Sequence, residues 1–191
     1  MTAATTTTSA TTTPTGYRSV TWTIDPAHTE VGFSVRHMMV SKVRGRFDSF
    51  AGTITTGDQV EDSGVEASIE LGSISTGNAQ RDEHVRSPDF FATDAHPAMT
   101  YRSTAVIATD DGWTVEGELS LKGITRSVPL AVELHGFGPD AYGGYRVGMT
   151  ATARINRHDF DVSWNSAIEG GGVVVSDKVD IVLEIQAVHQ G

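Results

Sequence analysis

Arg81-Asp82-Glu83-His84-Val85-Arg86-Ser87-Pro88-Asp89-Phe90-Phe91, closed by Pro97, is the stretch of this chain that does not read as strand and turn. Asn78 is placed to cap a short helix, with Asp82 and Glu83 early and Arg86 late, the order the helix dipole favours. Pro88 limits the run, because it lacks an amide donor and disfavours helical geometry at Ser87. The paired rings Phe90 and Phe91 follow at once, and a solvated loop has no reason to carry them. The segment reads as a short charged helix whose end lowers two rings onto the end of a β-structure, as a lid.

Outward from that segment the chain alternates with period two. Val20 to Ile24 opens the pattern and Asp25-Pro26 turns it. Val31, Phe33, Val35 and His37 share one face, opposite Gly32, Ser34 and Arg36. The short apolar run from His37 to Ser41 reads as a helical turn crossing a barrel end. The run from Val43 to Thr56 reads as strand, and bringing Phe47 and Phe50 to one face requires a bulge near Asp48-Ser49. Downstream, Val65, Ala67, Ile69 and Leu71 alternate with polar residues, and so do Met99, Tyr101, Ser103, Ala105 and Ile107. Trp113, Val115, Gly117, Leu119 and Leu121 form the next apolar face, then Val128, Leu130, Val132 and Leu134, with Pro129 predicting an edge or a bulge. Val147, Met149, Ala151, Ala153 and Ile155 make another, and Val179 to Ala187 the last. Turn signals stand at Asp110-Asp111-Gly112, Lys122-Gly123, Tyr142-Gly143-Gly144 and Gly170-Gly171-Gly172.

These runs predict an all-β domain of about eight antiparallel strands with one short helix. Two facing sheets would also give each strand one apolar face. The run from Tyr145 to His158, however, spans ~46 Å at about 3.3 Å per residue. Long meander strands with little helix to cover them favour a sheet closed on itself, which removes its edges. A barrel of about eight strands holds one small ligand.

The 191 residues suit one domain. Residues 1–17 read as a disordered Thr/Ala-rich tail, and 18–191 as the folded domain. The tail lacks the basic and apolar regions of a secretory signal, and no run is apolar enough for an integral membrane segment, so the expected location is cytoplasmic. Absence of cysteine excludes disulfides and thiol catalysis. A net charge of −10 argues against a nucleic-acid partner. The charge is uneven: Val31 to Phe47 holds Arg36, Lys42, Arg44 and Arg46 and no acid.

Five motifs recur in order: Trp22-x-Ile24-Asp25-x-x-His28-Thr29-x-Val31-x-Phe33; Val43-x-Gly45-x-Phe47-x-x-Phe50-x-Gly52; Arg81-Asp82-x-His84-Val85-Arg86-Ser87-x-Asp89-Phe90-Phe91; Gly117-x-Leu119-x-Leu121-x-Gly123-Ile124-Thr125; and Ile155-Asn156-Arg157-x-Asp159-Phe160. Together they resemble the YceI-like family, the lipocalin-like polyisoprenoid-binding proteins, over residues 20–187. Val85, Tyr101 and Asp161 stand where that family usually has Leu, Phe and Gly. The resemblance implies an extended eight-stranded antiparallel lipocalin-like barrel whose apolar pore holds an isoprenoid-chain lipid, polyprenyl or quinone-like.

The expected lining is Phe33, Val35, Phe47, Ile69, Met99, Tyr101, Leu119, Val132, Met149 and Ala151, with Phe90 and Phe91 closing one end and Trp164 a further apolar candidate. Small residues on the apolar faces (Ala67, Ala105, Gly117, Ala151, Ala153) are expected to leave room inside; a solid core is the other reading. Arg36 or Lys42, beside His37 at a strand end, is expected at the pore mouth against an anionic headgroup. The alternative function is an enzyme acting on a hydrophobic substrate in the same pore, with His84 and Asp82 as acid and base. No nucleophile, phosphate-loop or metal-ligand motif is present, so no metal and no cofactor are expected. Asn156-Arg157-His158-Asp159-Phe160 reads as a corner with a buried ion pair. A homodimer is compatible with these expectations.

Overall fold

The computed structural model describes residues 13–38, 40–141, 143–167 and 173–189. Its strands are β1 (Thr21–Ile24), β2 (Glu30–His37), β3 (Ser41–Phe47), β4 (Phe50–Thr55), β5 (Gly64–Glu70), β6 (Ile74–Ser75), β7 (Ala98–Thr109), β8 (Gly112–Leu121), β9 (Ile124–Ser127), β10 (Leu130–Pro139), β11 (Tyr145–Asn156) and β12 (Val175–His189). One α-helix, α1 (Ala79–Arg86), lies between β6 and β7.

The ring runs β1-β4-β5-β7-β8-β10-β11-β12 and closes where β12 returns to β1, giving an eight-stranded antiparallel barrel. Three walls of this ring are broken strands. β1 and β2 both lie against β12, Ile24 opposite Ala187 and Glu30 opposite Glu184, with a turn at Asp25–Thr29 between them. β3 pairs with β2, whereas β4 pairs with β1. β9 and β10 share β8 in the same way, interrupted at Val128-Pro129, where the Val128 amide donates to Gly117 O at 2.8 Å. Proline has no amide to continue the ladder, so the wall breaks there and resumes.

Several expectations are corrected by this pairing. Asp48-Ser49 is a strand break rather than a bulge: Phe47 faces Val31 and Ile74, and Phe50 faces Ile69. The run from His37 to Ser41 is a hairpin turn between β2 and β3, closed by the Val40 amide on His37 O at 3.2 Å, not a helical crossing. In β7 the register shifts between Ser103 and Ala105, which exchanges the faces. Val106 therefore points to the core, and Ala105 and Ile107 lie outside. Of the predicted turns, Tyr142 and Gly170-Gly171-Gly172 lie outside the described residues, as does Met39 and the tail to residue 12. The tail boundary at 17 cuts through docked chain. The Tyr17 hydroxyl reaches Gly57 O and Ser63 Oγ, both at 3.0 Å, and its ring meets Phe137 edge-on at 5.8 Å.

The helix forms as its sequence predicts. The Asn78 side chain accepts from the Arg81 amide, and Ser87 caps the other end through His84 O. Almost no apolar residue lies on the helix, so tertiary hydrogen bonds hold it. Asp82 is buried and accepts from the Thr76 amide at 2.9 Å and from the Thr76 hydroxyl. Arg81 donates to Thr76 O, and Arg86 to Gly72 O and Ile74 O. At the opposite barrel end Trp22 is fully buried, its Nε1 donating to Thr56 Oγ1 at 2.9 Å, and it packs against Phe137 and Tyr145.

Candidate functional site: the barrel pore

Alternating side chains on a closed sheet send one apolar set inward, and here that set leaves space. The cavity is about 470 Å³ and runs the length of the barrel, from Pro14 and Tyr17 at one end to Phe90, Arg157 and Trp164 at the other. That volume lies within the range of small-molecule sites.

Phe33, Val35, Phe47, Ile69, Phe90, Phe91, Met99, Tyr101, Leu119, Val132, Met149, Ala151 and Trp164 all border it. His37 and Arg36 border it too, although Arg36 is exposed on the outward face of β2. Lys42 does not. It lies opposite Arg36 on the outer face of the hairpin, with Nζ 3.5 Å from Asp180. Period-two pleating puts every even-numbered base of β2 and β3 outside, so the expected pairing of Lys42 with a pore ligand fails.

The helix end of the pore is closed by rings. His84 meets Phe90 and Trp164 edge-on, at centroid distances of 5.2 and 4.8 Å, and Phe90 lies 5.2 Å from Trp164. Phe91 continues this layer toward Phe47 at 6.2 Å, and Phe47 toward Phe33 at 5.7 Å. The lid reading of Phe90 and Phe91 therefore has a geometric counterpart. His84 Nε2 is bonded to Asp89 at 2.8 Å while Asp82 is committed to Thr76, so the proposed acid–base pair is engaged in two separate contacts.

Of the small residues expected to leave room, Gly117 does not and Ala105 lies outside, whereas two of the alanines do. The Tyr101 ring fills the gap over Gly117, and the Phe33 ring the gap over Gly45. The Tyr101 hydroxyl donates to Val128 O at 3.0 Å or Val115 O at 3.1 Å, and burial, with Glu116 nearby, pushes it up to about 12. Ala51, Ala67 and Ala151 border the cavity and do leave room.

Arg157 was not among the expected site residues, and it is the most unusual group in the wall. It is 4% exposed, and its guanidinium donates to Ser176 O at 3.0 Å, Val162 O at 2.6 Å and Trp164 O at 2.9 Å. Asp177 stands 4.0 Å away and is itself bonded to His158, so the predicted buried ion pair is instead a cage of carbonyls. Burial lowers the Arg157 pKa, opposed by Asp177. Its place in the Ile155-Asn156-Arg157 motif was the one signal pointing to it. Trp113, also in the wall, has a buried Nε1 with no acceptor among the described residues.

Among the described residues no Asp or Glu borders the pore, although the chain carries a net charge of −10. The basic residues that border it are Arg36, His37, Arg81, His84 and Arg157. They gather at one end: Arg157 and His84 converge on Trp164, and Val175 lies opposite His37.

Residues 22–187 match the profile of the YceI-like domain. A UPF0312 protein of Staphylococcus aureus (strain N315) is 36% identical over 83% of this chain and 91% of its own. The crystal structure of a Campylobacter jejuni YCEI protein superposes with a TM-score of 0.70 at 27% identity, covering 87% of this chain and 96% of that one. A polyisoprenoid binding domain from Saccharophagus degradans shares the fold, with a TM-score of 0.67 at 17% identity over 88% of this chain and 98% of that one.

Proposed function

Because the chain belongs to the YceI-like family, we propose that its pore binds one long-chain isoprenoid-type lipid, non-covalently and without turnover, for storage or transport. The observation that carries this reading is the wall itself: a continuous apolar tunnel from Tyr17 to Trp164, without a carboxylate among its described residues. Each methylene withdrawn from water into such a wall contributes about 0.8 kcal/mol, so a chain filling the tunnel binds without any polar anchor. The name of the Saccharophagus degradans domain adds support for the isoprenoid class. The polar head of the ligand lies at the helix end, where His37 and Arg157 border the pore and Arg36 stands at its rim. A buried cation whose hydrogen bonds go to carbonyls, with the exposed Asp177 4.0 Å away, is the complement of a phosphate or a quinone oxygen.

Organic extraction of the purified protein followed by mass spectrometry tests the proposal. The expected product is one polyprenyl or quinone-like species in near-stoichiometric amount. Apoprotein alone, together with no uptake of such a lipid in native mass spectrometry, would overturn it.

A further inference from the structure

An acidic protein of net charge −10 is repelled by an anionic membrane, unless one face differs from the rest. One face does differ. The tip of the β2–β3 hairpin exposes Val40 at 84% and Met38 at 41%, and Val173 beside it is 37% exposed. Burying such side chains in the molecule's own core would be favourable, yet the tip projects them together. The Met38 amide is bonded to Val174 O at 2.9 Å, so the two exposed segments are neighbours. Val174 and Val175 border the pore, which puts this apolar tip at the pore's helix end.

The bases of the hairpin stand directly behind the tip on its outer face. Arg36 lies opposite Lys42, and Ser34 opposite Arg44. Arg154 joins them across β12, where Asp180 accepts from Arg154 at 2.6 Å and meets Lys42 at 3.5 Å. One carboxylate therefore answers two of these four cations, and neither Arg36 nor Arg44 pairs with a carboxylate among the described residues. Asp177, the next acid along β12, is taken by His158 and Arg157. Farther from the tip, Arg46 is answered by Asp48.

The geometry points to a membrane-docking surface: the β2–β3 tip inserts Met38, Val40 and Val173 into the interface of an anionic bilayer, while Arg36, Lys42, Arg44 and Arg154 meet its phosphates. Apolar residues at the interface backed by cations are what reversible attachment to an anionic leaflet requires. Each base near such a surface is worth about fivefold in binding constant. Docked this way, the helix end of the pore faces the lipid, so a hydrophobic ligand passes between bilayer and barrel without crossing water. That use of the surface rests on the lipid-binding reading; the surface itself does not.

Co-sedimentation of the whole protein with vesicles tests it. Binding is expected to vesicles of phosphatidylcholine with an equal part of phosphatidylglycerol, weakening as salt rises, and far less to phosphatidylcholine alone. The K42E/R44E variant should bind the mixed vesicles at least about 25-fold more weakly. V40D should also lose binding, and I107D, which charges an exposed apolar site on β7 across the ring from β12, should not. Equal binding to both vesicle types, or V40D binding like the unaltered protein, would overturn the proposal. So would loss of a concentration-dependent dimer in V40D without any vesicle binding, which would make the tip a contact between copies. Lipid extraction separates the two readings. Normal pore lipid in V40D with lost vesicle binding supports docking, whereas an unaltered protein that binds the mixed vesicles with an empty pore removes the pore reading and leaves the docking surface standing.

Discussion

The ring of Tyr101 occupies the space that a side chain at Gly117 would need, one strand away across the β7–β8 pair. The glycine is thus part of how the tyrosine is seated, and the seat lets its hydroxyl reach the carbonyls of Val115 and Val128.

Gly117→Ala should therefore destabilise, although alanine is small and suits a strand. The added Cβ meets the Tyr101 ring and the carbonyl of Arg102. Overpacking of this kind costs about 1–3 kcal/mol, read as a lower urea midpoint at unchanged slope. A midpoint equal to that of the unaltered protein would mean the ring has another place to go.

The lid is held by two separable devices. Asp82→Ala removes the carboxylate from Thr76 and should cost about 1.5–3 kcal/mol. Phe90→Ala opens the core beneath the helix and should cost about 3–5 kcal/mol. Phe91 is only half-buried, so Phe91→Ala should affect stability less and ligand exchange more. Comparison of unfolding midpoints with off-rates of a bound fluorescent lipid checks this division.

Tyr17 ties the chain ahead of β1 to the barrel. Tyr17→Ala removes the edge-on contact with Phe137 and the bonds to Gly57 O and Ser63 Oγ, with an expected loss of about 1–3 kcal/mol. Thermal unfolding checks it, and an unchanged midpoint would return the boundary to residue 17.

Acid should weaken one rim of the barrel. Hydrogen bonds from Arg146 and then from His28 hold the Asp25 carboxyl at about 2, against an ordinary 3.8. As pH falls from about 4 toward 2 the unfolded chain takes up this proton before the folded one does. The contribution is therefore present above about pH 4 and lost as pH approaches 2. Solvent at the rim limits it to about 1 kcal/mol. Denaturant midpoints at the two ends of that window should converge for Arg146→Leu relative to the unaltered protein.

Much of the β-architecture was legible because the pleat is local. Val147, Met149, Ala151, Ala153 and Ile155 alternate with polar neighbours, and any sheet with one buried face demands that pattern. The cap at Asn78 and the stop before Pro88 were legible for the same reason, since both act within a few residues. The pore lining followed from parity alone along β2, β5, β8 and β11, and so did nearly every expected wall residue.

What the sequence by itself determined, then, is which side chains share a face; which faces meet was decided only in three dimensions. Closure depends on partners such as the Thr29 hydroxyl and Gln186 O, 157 residues apart, and no local pattern encodes that choice. The shift between Ser103 and Ala105 exchanges Ile107 for Val106 because β7 takes up one extra residue against β8 just past the point where its pairing with β5 ends. Lys42 turned outward with its strand, and Arg157 turned inward because the chain leaves β11 in a single tight turn that wraps its own carbonyls around the guanidinium. Gly117 looked like empty space and proved to be the seat of a ring, since a missing side chain reports only what its own residue lacks, and the neighbour that fills the gap comes from another strand.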